Sequence, residues 1–366
     1  LNRGDITLTE GRDYDQTMNL FIINSYKCAL GRDPLAEELN SWASYLRVGY
    51  YSSDLLLSLF NSSSYATAST TEQAAFAYRL ILGREGSSAD IQALSQALSS
   101  SDRRTALRTL FYSEEFATRC FNNAVLPAFN DGWNIYGGQL YYARDGRLVT
   151  GWQRINGARY YFNPGNHGAA ASGWLFVDGL KYYFDSEGKL VQDVDAILGP
   201  RSSYYLTVNC ETNTIMVYAQ DIPGGAYNIP VKAIVCSTGM AGTPTVQGDF
   251  VIRRFARWGT LMGPVYGQYC SQISGSYLFH SAWYNTNGNV YSLSVSEYNR
   301  LGTNASHGCV RLTVADAMWI YNNCNGSTVH IFYSSAAAPF DKPVAPQAGV
   351  VYGNVGYDPT DPETWG

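Results

Sequence analysis

The sequence predicts a multidomain protein: an α-helical N-terminal domain, a solenoid of β-hairpin repeats, and a mostly-β C-terminal domain with a short helix. Three observations predict it. A block of helix-spaced apolar residues occurs twice near the N-terminus. Three Gly-Trp units, each about twenty residues long, follow it. The remainder is a series of β-branched and aromatic runs broken by turn residues. At 366 residues the chain exceeds one typical domain, and with 46% hydrophobic and 15% charged residues it has the composition of a folded protein.

The helical domain is placed at residues 1–128. Tyr26-Lys27-Cys28-Ala29-Leu30-Gly31-Arg32-Asp33 recurs as Tyr78-Arg79-Leu80-Ile81-Leu82-Gly83-Arg84-Glu85, an offset of 52. Phe60-Asn61-Ser62 recurs as Phe111-Tyr112-Ser113 at an offset of 51. Leu35, Leu39, Trp42 and Leu46 mark one helix face, and Gly31 and Gly83 read as helix stops. The pattern resembles a helical domain of secreted bacterial proteins. No chemistry is expected of it beyond a spacer or a protein-contact surface.

The repeats occupy 129–196. Units opening at Gly132-Trp133, Gly151-Trp152 and Gly173-Trp174 each carry a Tyr pair, Tyr141-Tyr142, Tyr160-Tyr161 and Tyr182-Tyr183. Asn156-Gly157 and Asp178-Gly179 are hairpin turn dipeptides. A lone hairpin is marginal, whereas stacked hairpins share a core. The units resemble the cell-wall-binding repeats of Gram-positive surface proteins, the choline-binding ones included. The aromatics expected to contact ligand are Trp133, Tyr142, Trp152, Tyr161, Trp174 and Tyr183; the alternative is that they serve only as hairpin core. Choline-binding repeats usually carry a Trp just before the Tyr pair. Here Leu140, Arg159 and Lys181 stand there, and two cations would repel a quaternary ammonium. The expected ligand is therefore a sugar or teichoic-acid surface, or none.

The third domain is placed at 197–340. Residues 204–208, 214–218, 231–235 and 328–332 are strand-like. One helix is expected after residue 312, with Thr313 as N-cap, Asp316 three residues on, and Val314, Ala317, Met318 and Tyr321 on one face. Residues 341–366 are rich in Pro and Gly and read as an extended tail.

The net charge of −5 excludes nucleic acid as the main partner. No apolar run is long enough to span a membrane. The chain opens at Leu1 with neither a basic nor an apolar leader, so no signal peptide is expected in it. Seven cysteines leave six once Cys309 is set aside as reactive; Cys28–Cys120 is the pairing expected first, and buried free thiols are the alternative.

The stretch that carries chemistry is Ser306-His307-Gly308-Cys309-Val310-Arg311-Leu312, with His280-Ser281 upstream at the end of an apolar run. Thiol acyl transfer needs a nucleophilic sulfur, a base to take its proton, and N–H groups to hold an oxyanion. Zinc at His280, His307 and Cys309 is a weaker reading, since only three ligand types are present and no C-x-x-C pair accompanies them. A disulfide at Cys309 is another. The string resembles the active-site signature of the L,D-transpeptidases, the YkuD-like enzymes that cross-link peptidoglycan.

That resemblance implies the following. Cys309 is the nucleophile and His280 its base, with the Ser281 carbonyl fixing the tautomer. N–H groups near Gly308 and Cys309 form the oxyanion hole, His307 shapes the pocket, and Arg311 binds a substrate carboxylate. No metal and no cofactor is required. Between Asp249 and Arg311 five arginines (253, 254, 257, 300, 311) face two acids, a local field suited to an anionic peptide. Family members commonly leave about fifteen residues between the two motifs, whereas His280 and Ser306 bracket 25. The extra segment, 283–301, is expected to form a lid whose aromatic wall is Trp283, Tyr284 and Tyr298.

The implied reaction acts on peptidoglycan stem peptides and forms 3→3 cross-links through a cysteine acyl-enzyme. The repeats would contact a cell-wall polymer and place the protein outside the cell at the wall. The alternatives are an L,D-carboxypeptidase using the same residues and a non-catalytic wall-binding protein.

Overall fold

The computed structural model describes residues 11–145 and 147–365. The first ten residues of the expected helical domain and the last of the expected tail lie outside the described residues. The chain divides into two compact units: residues up to Ser172 with Ser186–Lys189, and Gly173–Asp185 with everything from Leu190 on. No helix among the described residues is long and apolar enough to cross a membrane.

The first unit opens with the duplicated helices. Gly11–Leu30, Ala36–Arg47 and Ser52–Ser62 make one copy; Thr70–Ala77 with its π-turn extension, Ser88–Ser100 and Glu114–Phe121 belong to the other. Gly31 and Gly83 leave their helices at φ +68° and +75°, a left-handed exit that a side chain disfavours. Ser69, Ser87, Asp102 and Ser113 cap helix starts by accepting a backbone N–H three residues on. Phe21, Ile22, Leu55 and Phe60 share one core with Phe76, Leu80, Ile81 and Phe116.

The three Gly-Trp units are antiparallel hairpins, Gly132–Tyr136 with Gln139–Arg144, Gly151–Ile155 with Ala158–Asn163, and Gly173–Val177 with Leu180–Phe184. In each, the Trp faces the second Tyr of the pair across the strands. Both turn residues have positive φ in all three, so the hairpins close tightly with the twist their strands require. The predicted boundary at 196/197 is not where packing divides. The first two hairpins pack within the first unit, Tyr136, Tyr141 and Ala143 lying against Phe129 and Ala117. The third belongs to the second unit. Trp174 and Tyr183 lie on that unit's core, and Lys181 Nζ pairs with Asp221 at 2.6 Å.

Within the second unit we number the strands β1 (Tyr205–Asn209), β2 (Thr214–Gln220), β3 (Tyr227–Val235), β4 (Gly248–Val251), β5 (Arg253–Thr260), β6 (Tyr266–Ser274), β7 (Tyr277–Ser281), β8 (Leu293–Ser294), β9 (Val310–Leu312), β10 (Thr328–Phe332), β11 (Gly349–Tyr352) and β12 (Val355–Tyr357), and the helix Val314–Asn323 as α1. A five-stranded sheet runs β3-β2-β1-β10-β4, a four-stranded sheet β5-β6-β7-β9, and a three-stranded sheet β8-β12-β11. Pairing is antiparallel except for β1–β10 and β7–β9. The core includes Leu206, Ile215 and Val231 of the first sheet, Phe279, Val310 and Leu312 of the second, and Ala317 and Ile320 of α1. Thr313 caps α1 as predicted, its hydroxyl accepting from the Asp316 N–H.

Two expectations are corrected here. Residues 341–365 are not an extended tail, because β11 and β12 pair with each other and β12 with β8. Asp358 and Asp361 in this segment are fully buried. Among the described residues all seven cysteines are thiols. Cys28 is exposed, while Cys120 is buried with its sulfur 3.1 Å from Ser52 Oγ, so the two expected to pair lie in different environments.

Candidate active site

The parallel pairing of β7 with β9 builds the site. Its register sets Phe279 beside Val310, His280 beside Arg311 and Ser281 beside Leu312. Side chains alternate across a strand, so Phe279, Val310 and Leu312 enter the core while Leu278, His280 and Arg311 take the opposite face. That face borders a cavity of 690 Å³, lined also by Tyr277, Trp283, His307 and Cys309. Two motifs 25 residues apart in sequence thus meet at one site.

The turn that carries Cys309 is held from below. The Ser237 N–H donates to the Arg311 carbonyl at 2.9 Å, and the Arg311 N–H returns to the Ser237 carbonyl at 2.8 Å. The Ala305 and Ser306 N–H groups donate to the Thr238 carbonyl. Asn213 and Asn304 hold Thr238 in turn, neither singled out by the sequence reading. Gly239 runs so close to the Thr243 carbonyl that a Cβ would sit 2.1 Å from its oxygen.

Gly308 has a conformational role. Its φ of +116° and a Cβ position 2.6 Å from Tyr277 Cε1 exclude a side chain. Its N–H donates to Ser306 Oγ at 3.1 Å, so the oxyanion donor expected at this residue is already engaged.

His280 is buried, and its Nδ1 lies 2.5 Å from the Ser281 carbonyl. A carbonyl only accepts, so Nδ1 carries the proton and Nε2 keeps its lone pair. The imidazole rests on Gly267, where a Cβ would meet Nδ1 at 2.9 Å and Cβ at 3.1 Å. Gly267→Ala is therefore expected to displace the ring, at a packing cost of about 1–3 kcal/mol, and to lower turnover far more than it lowers the melting temperature. Wild-type turnover in the folded variant would contradict this.

Burial pushes His280 down to about 4, and the Arg311 charge adds to that, against the pull of the Ser281 carbonyl. Burial raises the Cys309 thiol, offset in part by the Leu278 N–H and Arg311. Its sulfur lies 3.6 Å from the Ser276 carbonyl. Burial thus favours the neutral form of both groups.

Other predicted site residues separate. His307 is exposed at the cavity and Trp283 lines it. Tyr284 and Tyr298 are fully buried, Tyr298 donating to Asp358 at 3.1 Å, so neither forms a lid wall. The outer wall lies elsewhere: Phe255, Thr260, Leu261, Met262 and Val265 of the β5–β6 hairpin line the cavity, with Phe255 and Met262 exposed. The run Leu261-Met262-Gly263-Pro264-Val265, a Gly-Pro turn between strand-like flanks, was the signal available for it. Arg311 lines the cavity with its guanidinium committed to Glu297 and, at 3.1 Å, to the Ala305 carbonyl. Both bonds are made by Nη1, which ties the Glu297 turn to the Cys309 turn and sets an acid against the Arg311 charge. The local excess of arginine is reduced by one acid from outside the segment, Glu363 on Arg257, while Arg300 and Arg311 share Glu297.

This fold and this site define a class. Residues 203–331 match the L,D-transpeptidase catalytic domain of the YkuD family, and residues 149–194 match the choline-binding repeat. The chain therefore carries an L,D-transpeptidase family catalytic domain together with choline-binding repeats. Among curated proteins, it is similar to YciB of Bacillus subtilis (strain 168), assigned by its name to the L,D-transpeptidases: 47% identical over 49 residues, 13% of this chain and 24% of that protein. The match thus spans about a quarter of that relative's length. An L,D-transpeptidase structure from Mycobacterium tuberculosis H37Rv is 20% identical over 35% of this chain and 57% of its own, at a TM-score of 0.28. CbpJ from Streptococcus pneumoniae TIGR4 is 34% identical over 18% of this chain and 23% of its own, at a TM-score of 0.17.

Proposed function

We propose that the second unit catalyses L,D-transpeptidation of peptidoglycan stem peptides through an acyl-enzyme on Cys309. The observation that supports this reading is the meeting of Cys309 and His280 at one cavity, with the imidazole's Nδ1–H already spent on Ser281. Sγ attacks the carbonyl of the third stem residue of a tetrapeptide donor while His280 Nε2 takes the thiol proton. The oxyanion collapses, the C–N bond to terminal D-Ala breaks, and His280 returns the proton to the leaving amine. An amine of a neighbouring stem then attacks the thioester, and a 3→3 link forms with release of the thiol. Because burial favours the neutral form of both groups, proton transfer accompanies attack in this reading.

Purified tetrapeptide separates this reading from its nearest alternative. A cross-linked dimer with release of D-Ala is expected by mass spectrometry. Tripeptide alone would mean that water takes the acceptor's place, the carboxypeptidase reaction.

The repeats, in this reading, hold the enzyme at the outer wall and raise its local concentration there. The chain's own cations lie over their aromatic faces. Arg159 Cζ is 4.7 Å from the centre of the Trp152 ring, Lys181 Nζ is 5.8 Å from that of Trp174, and Arg144 Cζ is 5.9 Å from that of Tyr142. Each positive charge within reach of a repeat ring disfavours a quaternary ammonium on that ring. Binding of the protein to isolated sacculi is therefore expected to persist in millimolar choline. Elution by choline would contradict the assignment of a sugar or teichoic-acid surface.

A further inference from the structure

A buried chain of hydrogen bonds runs from the C-terminal segment to the peptide that holds His280. Asp361 is fully buried and accepts from Gln268 Nε2 at 2.8 Å. The other Asp361 carboxylate oxygen accepts the Glu363 N–H at 3.0 Å. Gln268, also fully buried, accepts at Oε1 from Arg257 Nη1 at 2.6 Å, and Arg257 Nη2 pairs with Glu363 at 2.6 Å. The Gln268 side chain is thus fixed at both ends.

Its backbone acts on the site. The Gln268 N–H donates to Ser281 Oγ at 2.9 Å, and that hydroxyl donates to the Ala282 carbonyl at 2.8 Å. Ser281 supplies the carbonyl that receives His280 Nδ1–H, and Gly267, the residue before Gln268, is the floor under the imidazole. One dipeptide, 267–268, therefore sets both the plane on which the ring lies and the peptide that fixes its tautomer. Without the Asp361 and Arg257 contacts the amide would be a buried polar group with nothing to hold it, and the strand would shift to satisfy it.

The geometry points to Gln268, locked by Asp361, as a positioning residue for His280, acting through Ser281. This rests on the reading of His280 as the base. Its physical content is that an imidazole can accept a thiol proton at Nε2 only while Nδ1 keeps its proton, and that tautomer persists only while the Ser281 carbonyl is aimed at it.

The experiment compares Gln268→Met, Asp361→Ala and Asp361→Asn with the wild-type protein. The readouts are kcat and KM for tetrapeptide turnover, and the histidine ¹⁵N tautomer signature by NMR. Gln268→Met and Asp361→Ala are expected to lower kcat about ten- to a hundredfold with KM little changed, and to turn a single Nδ1–H tautomer into a mixture. Asp361→Asn is expected to fall between wild type and Asp361→Ala, because its one amide oxygen can still accept from Gln268 Nε2 only with its NH2 turned toward the Glu363 N–H. Wild-type kcat and a single tautomer in Gln268→Met and Asp361→Ala would overturn the inference, as would an Asp361→Asn variant impaired as deeply as Asp361→Ala. Should Gln268→Met melt below the assay temperature, Arg257→Gln at the solvent end of the chain replaces it, with a loss of about fivefold expected and an unchanged kcat and tautomer decisive against. The base reading fails separately, if His280→Ala retains wild-type turnover.

Discussion

Replacing His280 with alanine is expected to lower acyl transfer at neutral pH by about a thousandfold, within the range that a positioned general base supplies. The loss should fall on kcat, because the cavity walls that hold substrate remain. The pH profile gives the physical reason. Burial holds His280 near 4, so in the wild-type protein the imidazole stays neutral and able to accept a proton throughout the neutral range. Activity should be level through neutrality and fall as the pH drops through about 4. The thiol, raised by burial, should react with iodoacetamide appreciably only above the usual thiol range. A preformed thiolate–imidazolium pair behaves oppositely, with fast alkylation persisting well into acid. Fast alkylation at mildly acidic pH would show that the pair rests ionised and that the proton moves before attack.

Cutting the chain after Phe340 is expected to leave a second unit that does not fold cooperatively. Asp358, beyond the cut, accepts from the Val314 N–H at 2.6 Å and from Tyr298 OH at 3.1 Å. Thr360 Oγ1 accepts the next N–H of the same helix start, that of Ala315, at 3.1 Å. Removing them leaves orphaned donors at the N-terminus of α1 and a buried phenol with no acceptor, each costing about 1–3 kcal/mol. β12 leaves with the segment, uncovering β8. Those losses together match much of the stability of an ordinary domain. Circular dichroism melting tests this; a sharp transition at the wild-type temperature would contradict it. By the same packing logic a well-folded catalytic fragment begins at Gly173, since Trp174 and Tyr183 of the third hairpin lie on the catalytic core.

What was legible in the sequence was local or repeated. The glycines that stop the duplicated helices, the turn dipeptides of the hairpins, the Thr313 cap and the β-branched strands each write their conformation within a few residues. The pairing of His280 with the Cys309 turn was legible through two short motifs. What was not legible depends on register between strands distant in sequence. Gly267 matters because β6 brings it under His280, and nothing near it in sequence says so. Arg311 reads as a free guanidinium until Glu297 is folded against it. Tyr284 and Tyr298 read as a lid's aromatic wall because nothing within 283–301 shows what covers them; β8 and the C-terminal strands bury them. The C-terminal segment reads as a tail because its prolines and glycines signal turns, and the two short strands between them carry too few residues to show a period.

The most direct test is intact-protein mass spectrometry after incubation with a carbapenem. One covalent adduct is expected on the wild-type protein, mapping to Cys309, absent from Cys309→Ala and formed far more slowly by His280→Ala. A wild-type protein that stays unmodified, or a Cys309→Ala variant that still gains the mass, would contradict the assignment of this cysteine as the acyl carrier.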